Sequence, residues 1–223
     1  METKLAILIP VLRRPQNIAP LINSIKNNTP SDHRVLFITS PSDEKEIESL
    51  SKQDCHFIVM DKDYEGRGDY AKKINKGFNE VEAEWYFTGA DDLKFHPGWF
   101  ESAMFTYQVT QSCVIGTNDL GNPRVKAGQH STHTLVLGEY IKDCGTIDES
   151  GKILHEGYHH NFCDDELVST AKWRGAWTFA RGSKVEHIHP LWKSIPVDDV
   201  YKSGRRFYNE DEKLFSQRKK LWP

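Results

Sequence analysis

The stretch Trp85-Tyr86-Phe87-Thr88-Gly89-Ala90-Asp91-Asp92-Leu93-Lys94-Phe95-His96-Pro97-Gly98-Trp99 runs a short apolar strand straight into two adjacent carboxylates. A loop with a Pro-Gly turn follows, and a helix opens near Trp99. Paired acids at the carboxyl end of a buried strand sit where ligands bind in open α/β sheets. Two adjacent aspartates also suit a hard divalent cation, which takes oxygen ligands and bridges phosphates. The plainer alternative is that Asp91 and Asp92 cap the next helix, a position that favours Asp.

Upstream, Leu5-Ala6-Ile7-Leu8-Ile9-Pro10-Val11 is a continuous apolar run, the pattern of a strand buried on both faces, and Pro10 ends it. After the polar turn Arg13-Arg14-Pro15-Gln16-Asn17, the residues Ile18, Leu21, Ile22 and Ile25 recur at helical spacing. A second strand spans 34–39, a helix carries Ile47 and Leu50, and Phe57-Ile58-Val59-Met60 is a third strand. Strand and helix alternate with short connections, which predicts a mostly parallel central sheet with helices on both faces, an α/β fold. The first turn has neither Gly-x-Gly-x-x-Gly nor Gly-x-x-x-x-Gly-Lys-Ser/Thr, so a nucleotide would be held by side chains and not by a glycine cradle. Arg13 and Asp43 are candidates, with a solvated turn and a helix cap as their plainer roles. Gly68, Asp69 and Lys72 open a helix whose N-terminus can receive a diphosphate; the alternative is an ordinary surface helix.

The chain has 223 residues, 38% of them hydrophobic, which supports one sizeable core. A net charge of −3 exerts no global pull toward nucleic acid or anionic membrane. The four cysteines are widely spaced with no Cys-x-x-Cys pair, so neither a disulfide framework nor a zinc motif is expected and a reducing compartment is. No apolar stretch approaches the ~18 residues of a membrane span, and no signal peptide precedes the first strand, so a cytoplasmic location is expected.

Downstream, a helix after Trp99, strands at 113–116 and 134–137, an irregular loop from Asn118 to His130 and a turn or hairpin at 145–154 are expected. Asp164, Asp165 and Glu166 open a further helix, where the dipole favours acids, beside a loop rich in His. A carboxylate here can accept a proton from an acceptor hydroxyl within hydrogen-bond reach. In Val185-Glu186-His187-Ile188-His189-Pro190, a strand would point His187 and His189 the same way, a candidate metal half-site. From Lys193 the chain turns basic and aromatic and reads as an extension wrapping the domain or a partner, or as a solvated tail.

Taken in order, these parts resemble the family-2 glycosyltransferases with the A-type nucleotide-sugar fold, especially the small versions found in bacteriophages. The shared parts are the strand ending in Ile9-Pro10, Asp43 after the second strand, Ala71-x-x-x-Asn75-x-Gly77, and Asp91-Asp92 ahead of Pro97-Gly98-Trp99. The acidic helix start and His187-x-His189 complete them. The resemblance covers about residues 5–190. It implies a catalytic domain over 1–192 with a C-terminal extension over 193–223, and a cytoplasmic location in the host for a phage-borne gene. The family's Asp-x-Asp falls on Ala90, Asp91 and Asp92, with Ala90 replacing its first acid. By this resemblance Asp92 holds Mn²⁺ or Mg²⁺ together with His187, with His189 as neighbour. Asp91 approaches the ribose, and Pro10, Arg13 and Asp43 line the base and ribose pocket. Lys72 and Asn75 lie on the phosphate-side helix, where Ile74 replaces the family's Arg. Asp164 is the base, with Cys163 where Glu is usual and Asp165 in reserve.

The expected reaction is therefore metal-dependent, inverting transfer of a sugar from a nucleotide-diphosphate sugar to an acceptor hydroxyl, with a UDP-sugar as first choice of donor. The acceptor stays open among a modified DNA base, a protein, a glycan and a small molecule. A nucleotidyltransferase is the first rival, although its usual glycine-rich first loop is missing from Val11-Leu12-Arg13-Arg14-Pro15. A non-catalytic sugar- or metal-binding module is the second.

Overall fold

The computed structural model describes residues 3–64 and 68–222. The first apolar run forms β1 (Thr3–Pro10), and its side chains alternate between two cores. Leu5, Ile7 and Ile9 enter one, Ala6 and Leu8 the other. A strand covered on both faces needs no polar positions, which explains the unbroken run.

Strands β2 (His33–Thr39), β3 (His56–Val59) and β4 (Ala83–Thr88) join β1 in parallel, in the order β3-β2-β1-β4. The eight-stranded sheet continues through β7 (Thr134–Leu137), β6 (Val114–Asn118), β8 (Trp177–His187) and β5 (Leu93–Phe95). β7 runs antiparallel to β4 and β6, β8 parallel to β6, and β5 antiparallel to β8. On one face lie α1 (Ile18–Asn28), α2 (Glu44–Ser51) and α4 (Trp99–Thr110). On the other lie α3 (Asp69–Glu80), α6 (Gly138–Asp143), α7 (Cys163–Trp173) and α9 (Tyr208–Arg218). The expected α/β fold with helices on both faces is the fold observed. The apolar stripe Ile18, Leu21, Ile22 and Ile25 fastens α1 to the sheet, each side chain contributing about 1.5–3 kcal/mol by burial.

Several local expectations need correction. Leu93–Phe95, read as part of a loop, is strand β5, and it pairs with the end of β8 so that Leu93 faces His187. β8 stops at His187, so His189 lies beyond the strand and the two histidines do not share a strand face. The loop from Asn118 to His130 contains a short helix, α5 (Pro123–Lys126). Of the turn or hairpin expected at 145–154, the turn is observed, closed by Thr146 N–H to Glu149 O at 2.9 Å, with no strand there among the described residues. The segment after Lys193 is not a solvated tail. It forms α8 (Asp199–Arg205) and α9, and the fully buried Asp211 of α9 accepts the amides of His159, His160 and Asn161 at 2.7, 3.0 and 2.8 Å. No described helix is long and apolar enough to cross a membrane. Residues 65–67, which lead into the helix that Gly68 and Asp69 open, lie outside the described residues.

Candidate active site

Beyond Pro10 the chain turns through Arg13, whose φ of 54° lies in the left-handed region. The turn leaves Arg13 exposed and carries Arg14 inward. Arg14 Nη1 donates to Asp91 Oδ1 at 2.9 Å and Asp92 Oδ2 at 3.2 Å. Its Nε and Nη2 donate to Asp198, ahead of α8, at 2.7 and 3.1 Å. The guanidinium also lies over the Tyr201 ring at 4.1 Å, and the Tyr201 hydroxyl donates to Asp92 Oδ2 at 2.7 Å. Two buried carboxylates side by side cost several kcal/mol each in lost hydration unless they are paired. Arg14 is the buried cation that meets both. Burial and the neighbouring Asp92 charge push Asp91 above the usual carboxylate range despite Arg14. Burial opposes the Asp92 charge too, but His187, Arg14 and Tyr201 outweigh it and hold Asp92 below that range.

Asp92, His133 and His187 converge, each offering a ligand atom within 4.8 Å of the others. His187 Nε2 lies 3.3 Å from Asp92 Oδ2. His133, at the entry to β7, places Nδ1 2.8 Å from the carbonyl of Thr88. A carbonyl only accepts, so Nδ1 carries the proton and Nε2 presents its lone pair. Burial and then His187 pull the His133 pKa down to about 4, so the ring is neutral at pH 7. Asp92 Oδ1, His133 Nε2 and His187 Nδ1 are all buried with no hydrogen-bond partner. Unpartnered buried lone pairs are costly, and one carboxylate with two imidazoles is a ligand set suited to Mn²⁺ or a similar divalent ion. The His133 contact to a backbone carbonyl is the outer support that metal-binding imidazoles typically have. The residues fit a cation.

A second acidic pair opens α7. Asp164 Oδ2 lies 3.1 Å from His130 Nε2, and Asp164 Oδ1 accepts the Asp165 amide at 3.0 Å. Arg124 of α5 donates to Asp165 Oδ1 at 2.6 Å. Burial opposes the Asp164 charge, but the His130 hydrogen bond overrides it and holds Asp164 below the ordinary carboxylate range. Burial and the Asp164 charge raise Asp165. Both acidic pairs line one cavity of about 440 Å³, within the range of small-molecule sites.

The cavity brings together Pro10, Asp69, Asp91, Asp92, Asp164, Asp165, His187 and His189. Five other sequence candidates do not line it: Arg13, Asp43, Gly68, Lys72 and Asn75. Arg13 offers its amide to Asp43 Oδ2 at 2.6 Å while its side chain is exposed, and Arg14 takes the inward place. Asp43 caps α2 by accepting the Glu46 amide. Gly68 adopts φ +73° where a Cβ would stand 2.7 Å from the Glu156 carbonyl, so backbone packing demands glycine there. Lys72 lies over the Tyr64 ring at 4.3 Å. Asn75 donates to Leu154 O and Glu156 Oε1 and accepts the Ile153 and Leu154 amides, clamping segment 153–156 to α3. His189 stacks edge-on with His187 at 4.9 Å, but His133 takes its place in the ligand group.

Sequence reasoning passed over Arg14, His130, His133, Asp198 and Tyr201 as individuals. Arg14 stood beside Arg13, and only the backbone turn distinguishes them. His130 ends the irregular loop expected from Asn118, and His133 stands just ahead of the strand expected at 134–137, so neither carried a signal of its own. Asp198 had a local signal, since it caps α8 through the Tyr201 amide at 3.0 Å. Tyr201 had none.

The family model described as glycosyl transferase family 2 matches residues 6–163. A search of curated proteins gives no significant match. Among solved structures, TarS 1-349 of S. aureus superposes with a TM-score of 0.63 at 13% identity, over 82% of this chain and 59% of that one. The mannosyltransferase PcManGT of Pyrobaculum calidifontis, solved in complex with GDP-Man and Mn²⁺, gives 0.64 at 11%, over 84% and 57%. TarS 1-349 in complex with UDP-GlcNAc gives 0.57 at 13%, over 92% and 65%. The chain thus spans about three fifths of these neighbours, and at such identities they share its fold. With the family model covering most of its length, the chain belongs to glycosyl transferase family 2.

Proposed function

We propose that this glycosyltransferase moves a sugar from a nucleotide-diphosphate sugar to an acceptor hydroxyl by a metal-dependent, inverting displacement. The observation that carries the reading is the convergence of Asp92, His133 and His187, each of which also keeps a buried polar atom without a hydrogen-bond partner, in the same cavity as the Asp164 carboxylate. A divalent cation on that trio would neutralise charge on the departing diphosphate. Asp91 and Arg14 hold the floor of this donor site, and the left-handed turn at Arg13 sets their position. Asp164 accepts the acceptor's proton, and a single displacement at the anomeric carbon inverts its configuration. The neighbours support the donor class: TarS was solved with UDP and with UDP-GlcNAc, and the mannosyltransferase with GDP-Man and Mn²⁺. A UDP-sugar is the first donor to test.

The test is nucleotide release from UDP-, GDP-, TDP- and CMP-sugars with Mn²⁺, Mg²⁺ or EDTA, on wild type, Asp92→Ala and Asp164→Asn. The expected result is turnover of one donor that EDTA and Asp92→Ala abolish and that Asp164→Asn lowers without loss of donor affinity. Turnover untouched by EDTA and by Asp92→Ala refutes metal dependence at this trio. Donor binding with no turnover under any condition assigns the cavity to a binding module.

A further inference from the structure

We propose that His130 is a positioning residue for Asp164: it fixes the carboxylate through one hydrogen bond, and its own charge sets how strongly that carboxylate draws a proton. The inference rests on Asp164 being the base. His130 is 2% exposed, on the segment between α5 and β7. Its Nε2 reaches Asp164 Oδ2 at 3.1 Å, while the other Asp164 oxygen takes the Asp165 amide at 3.0 Å. One contact on each oxygen fixes the plane of the carboxylate and leaves its remaining lone pairs for the cavity.

The far side of the ring matters as much. A nitrogen that bonds an ionised carboxylate must carry a proton, so Nε2 is N–H in both charge states. The proton gained or lost then sits on Nδ1, which is buried, has no hydrogen-bond partner and stands 4.0 Å from Asp165 Oδ1. His130 therefore changes charge while its grip on Asp164 persists. Asp164, Asp165 and Arg124 are the charged groups that face the ring, and Asp164 also feels His133, His160 and Tyr70. Burial disfavours the imidazolium, yet the two carboxylates outweigh it and raise the His130 pKa. As imidazolium, His130 stabilises the Asp164 carboxylate and weakens it as a base; as neutral imidazole, it leaves a stronger one. In the step itself the acceptor O–H proton goes to Asp164 as its oxygen bonds the anomeric carbon. The sugar–phosphate bond breaks with its electron pair to the diphosphate.

Turnover should therefore climb as pH rises through the His130 midpoint. The experiment measures UDP release from UDP-GlcNAc with MnCl₂ (GDP-Man in parallel) between pH 5.5 and 9, on wild type, His130→Gln, His130→Ala and Asp164→Asn. His130→Gln keeps an N–H donor and cannot titrate, so it should hold turnover near the high-pH wild-type level with a flat profile across the neutral range. His130→Ala should lose about 10-fold or more in turnover at unchanged Mn²⁺–UDP affinity. Wild-type rate and profile in both His130 variants would overturn the proposal while the base assignment stands. Full turnover in Asp164→Asn would instead remove the base assignment, and the proposal with it. A readout free of activity is the ring titration of ¹³C/¹⁵N-histidine-labelled protein, with His130 assigned by its loss in His130→Gln. Its midpoint should exceed that of an ordinary histidine and fall by about one pH unit or more in Asp164→Asn. A midpoint that does not move overturns the coupling.

Discussion

The molecule contains two Asp-Asp pairs in one cavity, and they are built from the same parts to different ends. Asp91–Asp92 follows a buried strand and is met by Arg14 and His187; Asp164–Asp165 opens a helix and is met by Arg124 and His130. The arginines differ in burial: the Arg14 side chain is 6% exposed and touches both acids of its pair, whereas Arg124 is 56% exposed and touches only Asp165. The histidines differ in company. His187 shares its acid with a second imidazole that presents a bare nitrogen, while His130 holds its acid without one. His130, Asp164 and Asp165 also bring three ligand atoms within 4.8 Å of one another. The deeper group, however, has two imidazoles to one carboxylate and is the better suited to a cation, while Asp164, 24% exposed at a helix start, is the better placed to take a proton. Residue type alone does not separate these outcomes; burial and the third neighbour do.

The comparison breaks first if Asp92→Ala keeps metal-dependent donor turnover, because its loss is expected to abolish the activity outright. Asp164→Asn comes next, with a fall of about 10²–10⁴-fold in turnover at unchanged Mn²⁺–UDP affinity by calorimetry. Arg14→Met should destabilise the fold by about 3–5 kcal/mol in urea unfolding, since it strands Asp91 and Asp92. Arg124→Ala should cost under about 1 kcal/mol, as an exposed ion pair does. Equal losses for the two arginines would erase the distinction between deep and shallow pairs. Asp165→Asn should lower turnover less than 10-fold, and a loss matching that of Asp164→Asn would make the pair a joint base.

Glu46 sharpens the rule through stability and not through turnover. It is fully buried on α2, takes the Arg14 amide on one oxygen and leaves the other unpartnered. Burial pushes its pKa up to about 7. The folded state thus holds a proton that the unfolded chain releases near the ordinary glutamate value of 4.5. Stability from this group is complete below that pH and drains away as pH rises through about 7. Glu46→Gln should raise the melting temperature by several degrees at pH 8 and leave it nearly unchanged below pH 4.5. A gain of the same size at both pH values would mean that ionisation of Glu46 has no part in it.

Much of the fold could be read from residue order because local rules and the tertiary structure agree. The unbroken run from Leu5 to Ile9 is what a strand buried on two faces requires, and Ile18, Leu21, Ile22 and Ile25 mark a single helix face. Asp91 and Asp92 were legible as a candidate site because a strand end announces itself. The rest depended on backbone geometry and on pairings distant in sequence. Arg13 and Arg14 differ by one positive φ, and nothing in their side chains says which turns inward. His133 meets Asp92 because β7 pairs antiparallel with β4, a choice that periodicity does not encode. Tyr201 reaches Asp92 across 109 residues of sequence.

The way Asp211 receives three successive amides has a practical consequence for anyone who handles this protein. A cloning boundary drawn at residue 192, where the composition changes, would discard that carboxylate along with Asp198, Tyr201 and Arg218. The amides of His159, His160 and Asn161 beside the cavity would lose their acceptor, and Glu166 would lose its guanidinium. A silent assay on such a shortened protein would report a dismantled loop and not an idle enzyme.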